Sequence, residues 1–291
     1  MAILLALASA LCYGTSDFIG GVLSSRIRSW TAAFTGQAAG ALILIVIALA
    51  VRSPLSGPTI GWGALAGVGG GLGIVCLYRG LASGRMGVVA PLSGVIAALV
   101  PAVVGVAGGD RPSVVSWLGI VLALPATWLV ASGGDAAGAE GTDDTPGAGA
   151  GPRLSTRSAM LDGMLAGLGF GVSFAAIAQA PADAGQWPVA VELLTGALVT
   201  VVGATIAREA WLPRTSTAYL ASSTGVLAAV AMSAFVAASH RGMLAVTGII
   251  ASLYPAATIV LAITVLRERV HRTQALGLGL CAVAVALVAG G

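Results

Sequence analysis

Charged residues divide this chain at intervals that match the thickness of a lipid bilayer. Asp, Glu and Arg are absent from 29–51, 53–78, 86–109, 112–134, 163–182, 193–207, 215–240, 242–266 and 273–291. A crossing helix needs ~20 mostly apolar residues, and all but the run at 193–207 approach or exceed that length. That run becomes long enough if its helix begins near Pro188, which places Glu192 about one turn inside. The first 23 residues add one more span, interrupted only by Asp17. Ten helices result. Helix is expected over barrel because the runs are continuous, without two-residue alternation broken by turns.

Composition closes off the soluble alternatives. Hydrophobic residues make up 57% of the 291 and charged residues 9%, with a mean hydropathy of +0.98. A soluble domain carries roughly 25% charged residues, so this chain cannot clothe a water-facing surface. The 14 basic residues are all Arg, and the net charge of +3 is read as orientation signals beside the spans rather than as a nucleic-acid footprint. Counted from the N-terminus, odd-numbered loops hold Arg26, Arg28, Arg79, Arg85, Arg153, Arg157, Arg208, Arg214, Arg267, Arg269 and Arg272, while even ones hold Arg52, Arg111 and Arg241. The positive-inside rule then makes the odd loops cytoplasmic and both termini extracytoplasmic, in the cell inner (plasma) membrane. Cys12, Cys76 and Cys281 sit in apolar segments without pair or metal spacing, so inert thiols are expected. The apolar N-terminus lacks a basic leader and is read as a retained first helix. No GxxxxGK[ST] loop exists to drive an ATP-powered pump, and no metal or cofactor is expected.

The chain also repeats itself. Tyr13-Gly14 recurs as Phe170-Gly171, Trp30 as Trp187, Leu99-Val100-Pro101 as Leu253-Tyr254-Pro255, and Asp110-Arg111 as Glu268-Arg269. The offsets are 157, 157, 154 and 158, so the halves are diverged copies with few insertions, as in carriers with internal pseudo-symmetry. The first repeat occupies 1–132 and the second 159–291. Between them, 133–158 is rich in Gly and Ala, acidic and without an apolar face, and is expected to be a flexible cytoplasmic linker. Glycines four apart (Gly36 and Gly40, Gly67 and Gly71, Gly105 and Gly109, Gly163, Gly167 and Gly171) let helix backbones approach closely. Gly167-Leu168-Gly169-Phe170-Gly171 has neither the strand nor the acidic partner of a nucleotide loop, and helix packing is the better reading.

Together these residues resemble the drug/metabolite transporter superfamily in its EamA-type form, with two five-helix repeats. In the first half the resemblance rests on Tyr13-Gly14-Thr15-Ser16-Asp17-Phe18, Tyr78-Arg79-Gly80-Leu81 and Val88-Val89-Ala90-Pro91-Leu92 leading to Pro101. In the second it rests on Ser252-Leu253-Tyr254-Pro255, Leu266-Arg267-Glu268-Arg269-Val270 and Gln274-Ala275-Leu276-Gly277. The first half departs from the pattern at Gly108-Gly109-Asp110-Arg111-Pro112, where a leucine-rich stretch with Glu is more usual. The resemblance implies an all-α integral membrane protein of ten transmembrane helices. Its two repeats would have inverted topology, since five is odd, and would enclose a central cavity. It also implies a carrier of small organic solutes, often an exporter and often proton-coupled, for which a monomer suffices and a dimer is possible.

Ionisable groups inside spans are the first functional candidates, because burying them is costly unless they are paired or hydrated. Asp17, ~9 Å from the end of the first helix, is either a proton or cation site or an ion-pair partner of Arg79 or Arg26. Glu192 is either a carboxylate that takes up a proton near neutral pH or a hydrated interfacial group. Gln37, deeper in the equivalent helix of the first half, binds substrate or hydrogen-bonds between helices. Tyr13, Tyr78, Phe170, Phe174 and Tyr254 are candidate cavity walls, with Ser16, Ser93 and Ser173 as polar points. Each aromatic alone is equally explained by lipid contact or packing. Trp30, Trp62, Trp117, Trp187 and Trp211 lie near span ends and are read as interfacial anchors. Pro91, Pro101 and Pro255 interrupt helices four and nine, and the equivalent pair Pro101 and Pro255 suggests bending or gating. The leading reading is a secondary carrier, with Asp17 or Glu192 coupling protons to solute export. An integral-membrane enzyme would need a His, Asp or Cys cluster that this chain lacks. A non-transporting scaffold would need neither duplication nor intramembrane charge.

Overall fold

A computed structural model describes residues 1–24, 26–82, 86–132, 156–265 and 272–290. These residues form twelve helical segments and no strand. The first half contains α1 (Ala2–Ser24), α2 (Ser29–Val51), α3 (Gly57–Ala82), α4 (Met86–Ala107) and α5 (Val114–Ser132). The second contains α6 (Thr156–Ile177), α7 (Trp187–Ile206), α8 (Ser216–Leu220), α9 (Ser222–Ser239), α10 (Leu244–Ala251), α11 (Tyr254–Val265) and α12 (Arg272–Gly290). Of these, α1, α2, α3, α6, α7 and the α8–α9 pair hold segments long and apolar enough to cross a membrane, six in all among the described residues. Shorter apolar helices stand at the other four expected places, within Leu92–Ala107, Val114–Ala126, Leu244–Thr258 and Ala275–Ala284. Helix α6 begins at Thr156, so its first three residues fall in the stretch read as linker. The rest of that stretch, 133–155, and the Leu266–Val270 motif with its Glu268 lie outside the described residues.

The outward faces of the helices carry large apolar side chains, and the interior is built mainly of small apolar residues with polar groups set among them. Leu4, Leu42, Leu49, Leu118, Leu161, Leu198 and Leu220 are exposed, while Ser9, Ser16, Asp17, Gln37, Glu192 and Thr200 are buried. That distribution is stable only where the surrounding solvent is hydrocarbon, which solvates leucine but not hydroxyls or carboxylates.

Neighbour relations pair across the halves. Helix α3 packs on α6 and α7, and its counterpart α9 packs on α1 and α2. Helix α4 packs on α6, and α10 and α11 pack on α1. Helices α2 and α7 meet each other, as do α5 and α12. Exchanging the halves maps these contacts onto themselves. The helix ends repeat too. Arg52 and Arg208, 156 apart, both adopt positive φ, 56° and 55°. In each case the following N–H reaches back five residues, Ser53 to the Ala48 carbonyl and Glu209 to the Ala204 carbonyl, closing the helix with a left-handed cap.

Glycine stripes make the close approaches. Gly67 and Gly71 of α3 face the backbone of α7 at Glu192 and Gly196, and Gly163, Gly167 and Gly171 of α6 face α4. Gly109 differs from the expected packing role. It has φ 105° and ends α4 in a turn, where the Asp110 N–H bonds the Gly105 carbonyl.

Two breaks have local causes. The run at 215–240 divides at Ala221, where Ser223 and Thr224 hydroxyls donate to the carbonyls of Leu220 and Ala221 and bend the helix. The run at 242–266 divides at Ser252-Leu253, just before Pro255, which has no N–H to continue the ladder. Helix α4, by contrast, runs through Pro101 unbroken.

Candidate functional site

The motif Tyr13, Ser16, Asp17 has the i, i+3, i+4 spacing of one helix face, and its repeat counterpart is Phe170, Ser173, Phe174. In the fold these two faces look at each other. Between them lies a cavity of about 70 Å³ lined by Tyr13, Ser16 and Asp17 from α1, Gln37 from α2, and Gly70 and Ile74 from α3. Phe170, Ser173 and Phe174 from α6, Glu192 and Leu193 from α7, Ala228 and Met232 from α9, and Tyr254 from α11 complete it. Both halves contribute, and each supplies one carboxylate. At 10–15 Å³ per water centre this is room for a handful of waters, well below the ~300 Å³ at which pockets for small organic molecules begin. A solute enters this space only if the helices part.

Four rings wall the cavity in an unbroken arc. Phe170 meets Tyr254 edge to face with centroids 6.3 Å apart, Tyr254 lies 6.4 Å from Tyr13, and Tyr13 meets Phe174 edge to face at 5.8 Å. Phe174 is backed by Phe235 at 4.7 Å, so the wall is anchored in the core. The Tyr254 hydroxyl lies 3.4 Å from Ser93 Oγ.

The polar groups fall into two levels. Asp17 is seven residues from the end of α1 and Gln37 eight from the start of α2. Both therefore lie ~10–12 Å from the face bearing the odd-numbered loops. Glu192 is five residues into α7 and lies nearer the opposite face, ~8 Å from the helix start. Gln37 Nε2 donates to Thr200 Oγ1 at 3.1 Å, and Ser16 Oγ donates to the Thr224 carbonyl at 3.0 Å. Ser173 Oγ donates to Glu192 Oε1 at 2.6 Å, while the buried Glu192 Oε2 has no hydrogen-bond partner. Equivalent serines thus do different work: one joins backbones, the other holds a carboxylate.

The pairing of Asp17 with Arg79 or Arg26 does not form. Arg79 Nη2 lies 3.1 Å from Asp162 Oδ1, a buried carboxylate on α6, and Arg28 pairs with Glu209. These are the two ion pairs among the described residues, and neither involves Asp17 or Glu192. Asp17 is 7% exposed and Glu192 5%, so Glu192 is buried among the helices and faces the cavity rather than the outer surface. The reason is topological: α1 turns the Asp17 face toward the other half, whereas the end of α3 presents Arg79 to α6.

Tyr78 does not line this cavity. It is buried beside it, over the bare backbone of Gly20, in a smaller space shared with Ser16, Gln37 and Thr224. Neither Pro101 nor Pro255 touches the cavity: Pro101 packs against Gly248 of α10, and Pro255 follows the cavity residue Tyr254 at the helix break. Of the lining residues, Gly70, Ile74, Leu193, Ala228 and Met232 escaped sequence reasoning, because nothing but a four-residue spacing separates them from lipid-facing neighbours.

The sequence profile of the EamA-like transporter family matches residues 1–132 and 157–290. No curated protein matches the sequence. Among solved structures, one protein crystal structure superposes with a TM-score of 0.67 at 17% identity, over 97% of this chain and 98% of the other. That likeness extends the shared fold to nearly the whole length of both chains. With both halves matched, the chain belongs to the EamA-like transporter family of multi-pass membrane proteins.

Proposed function

We propose that the chain is a secondary active transporter that exports a small organic solute by alternating access, coupled to protons through Asp17 or Glu192. The observation that carries the reading is the cavity itself. It lies between the halves, draws one carboxylate from each, and leaves both without a basic partner. A buried carboxylate is costly to keep ionised without a counter-charge, so the cavity favours states in which a proton or a cationic group is bound. Exchange between such states is what coupling requires.

In this reading ten helices form two inverted five-helix repeats, 1–132 and 159–291, joined by the cytoplasmic linker 133–158. The self-paired helix contacts support the inversion, since an odd number of crossings per repeat reverses the second copy. Both termini face outward, and the membrane is the cell inner membrane. The placement of the carboxylates at different depths supports a route in which each is reached from a different face. Pro255, at the break beneath Tyr254, and Pro101, against Gly248, are the hinge candidates.

The test is pH-gradient-driven solute flux in proteoliposomes. Wild-type protein is expected to show flux that collapses with the gradient. Asp17→Asn or Glu192→Gln is expected to lower gradient-driven flux at least ~10-fold, the scale of one lost charge interaction. Full gradient-driven flux in both variants would refute the coupling.

A further inference from the structure

We propose that the solute is an organic monocation, a protonated amine carrying an apolar body, held between the two carboxylates and the ring arc. This deepens the carrier reading above and rests on it.

The first argument is the charge balance of the walls. Two carboxylates line the cavity, and no Arg or His does; the chain has no Lys. An anion would meet like charge on two sides, and a zwitterion would leave its own carboxylate facing them.

The second argument is the supply of donors. The Ser16 hydroxyl is engaged by the Thr224 carbonyl, that of Ser173 by Glu192, and the Gln37 amide nitrogen by Thr200. Beyond the tyrosine hydroxyls and the second N–H of Gln37, the cavity offers acceptors. Glu192 Oε2 is buried, unpartnered and part of the lining side chain, so it calls for a donor from outside the protein. An ammonium N–H supplies that donor and the missing positive charge together, and forms the stronger, charge-assisted kind of hydrogen bond.

The third argument is the wall. Tyr13, Phe170, Phe174 and Tyr254 enclose the same space, and aromatic faces attract a desolvated cation while their area accepts its apolar body. Charge, acceptors and rings all favour the same ligand. A quaternary ammonium would satisfy the charge and the rings but leave Oε2 unbonded, so a protonated amine is the better fit.

The test compares four probes with a common benzyl frame on the full chain in detergent: phenylethylammonium, benzyltrimethylammonium, phenylalanine and 3-phenylpropanoate. Titration calorimetry is expected to rank phenylethylammonium first, at least ~10-fold tighter than the zwitterion and the anion. Asp17→Asn and Glu192→Gln are each expected to weaken it by ~10-fold or more at an unchanged melting profile. The wild-type ranking decides the matter even if a variant fails to fold. Equal or tighter binding of the anion or zwitterion, or cation binding that survives both substitutions, overturns the proposal. Flux of the same probes in proteoliposomes, against protein-free vesicles, separates the two readings. Gradient-driven flux of phenylalanine or phenylpropanoate without the amine overturns the cation but keeps the carrier. No binding and no flux of any probe overturns both.

Discussion

Arg79 and Arg28 each pair with a carboxylate of the other half, yet they differ in what their loss exposes. Asp162 is buried under Arg79, whereas the Arg28 and Glu209 side chains are 61% and 41% exposed. Arg79→Ala strands a buried carboxylate and is expected to cost about 2–3 kcal/mol, less than a fully buried pair because the guanidinium is half exposed. Arg28→Ala is expected to cost under about 1 kcal/mol, as surface pairs do. Thermal unfolding of the purified variants checks both. Adding Asp162→Asn to Arg79→Ala should recover most of the loss, since an amide tolerates burial better than an unpaired charge. At this scale the sequence could name Asp17, Glu192 and Arg79 but not who pairs with whom. Hydropathy places a residue along its helix and leaves its rotation open.

The helices meet through missing side chains. A Cβ on Gly40 would lie 2.7 Å from the Gly225 carbonyl oxygen and 2.8 Å from Leu193 Cδ1, whereas one on Gly61 would meet nothing within 4 Å. Gly40→Val is therefore expected to lose roughly 1–3 kcal/mol or more through overpacking. Gly61→Ala should be neutral or gain up to ~1 kcal/mol from helix propensity. Melting temperatures of the two side by side test the contrast, which four-residue glycine spacing alone cannot draw. At the break before Pro255 the expected outcome is kinetic. Pro255→Ala should restore a continuous ladder and slow turnover several-fold, while leaving phenylethylammonium affinity within ~2-fold, since Pro255 does not line the cavity. An equal loss of both would place Pro255 in binding rather than in gating. Spans and repeats were legible at this scale because each is a local property of twenty or so residues. The break within 215–240 was not, because its cause is a pair of hydroxyls turned back on their own helix.

Both ion pairs join the first half to the second, Arg28 to Glu209 and Arg79 to Asp162, on the face bearing the odd-numbered loops. A carrier that opens toward that face must part them. A reducible bifunctional thiol cross-linker joining Arg28→Cys and Glu209→Cys, with Cys12, Cys76 and Cys281 replaced, is expected to abolish flux until it is cleaved. Undiminished flux in the cross-linked protein would show that this face does not move.

What the sequence determined by itself was the solvent and the plan. A succession of charge-free runs of about twenty residues fits a bilayer, and a duplicated Tyr-Gly, Trp and Leu-x-Pro order survives as a duplicated bundle. The two faces built on Tyr13 and Phe170 were legible because i, i+3, i+4 spacing turns a line of residues into a surface. What only the tertiary structure decided was which surfaces face inward. In a membrane the outer face of a helix is as apolar as its packed face, so amphipathicity, the signal that orients helices in water, is nearly silent. Gly70, Ile74, Ala228 and Met232 became cavity walls, and Asp17 became a carboxylate without an arginine, through contacts between helices far apart in the chain.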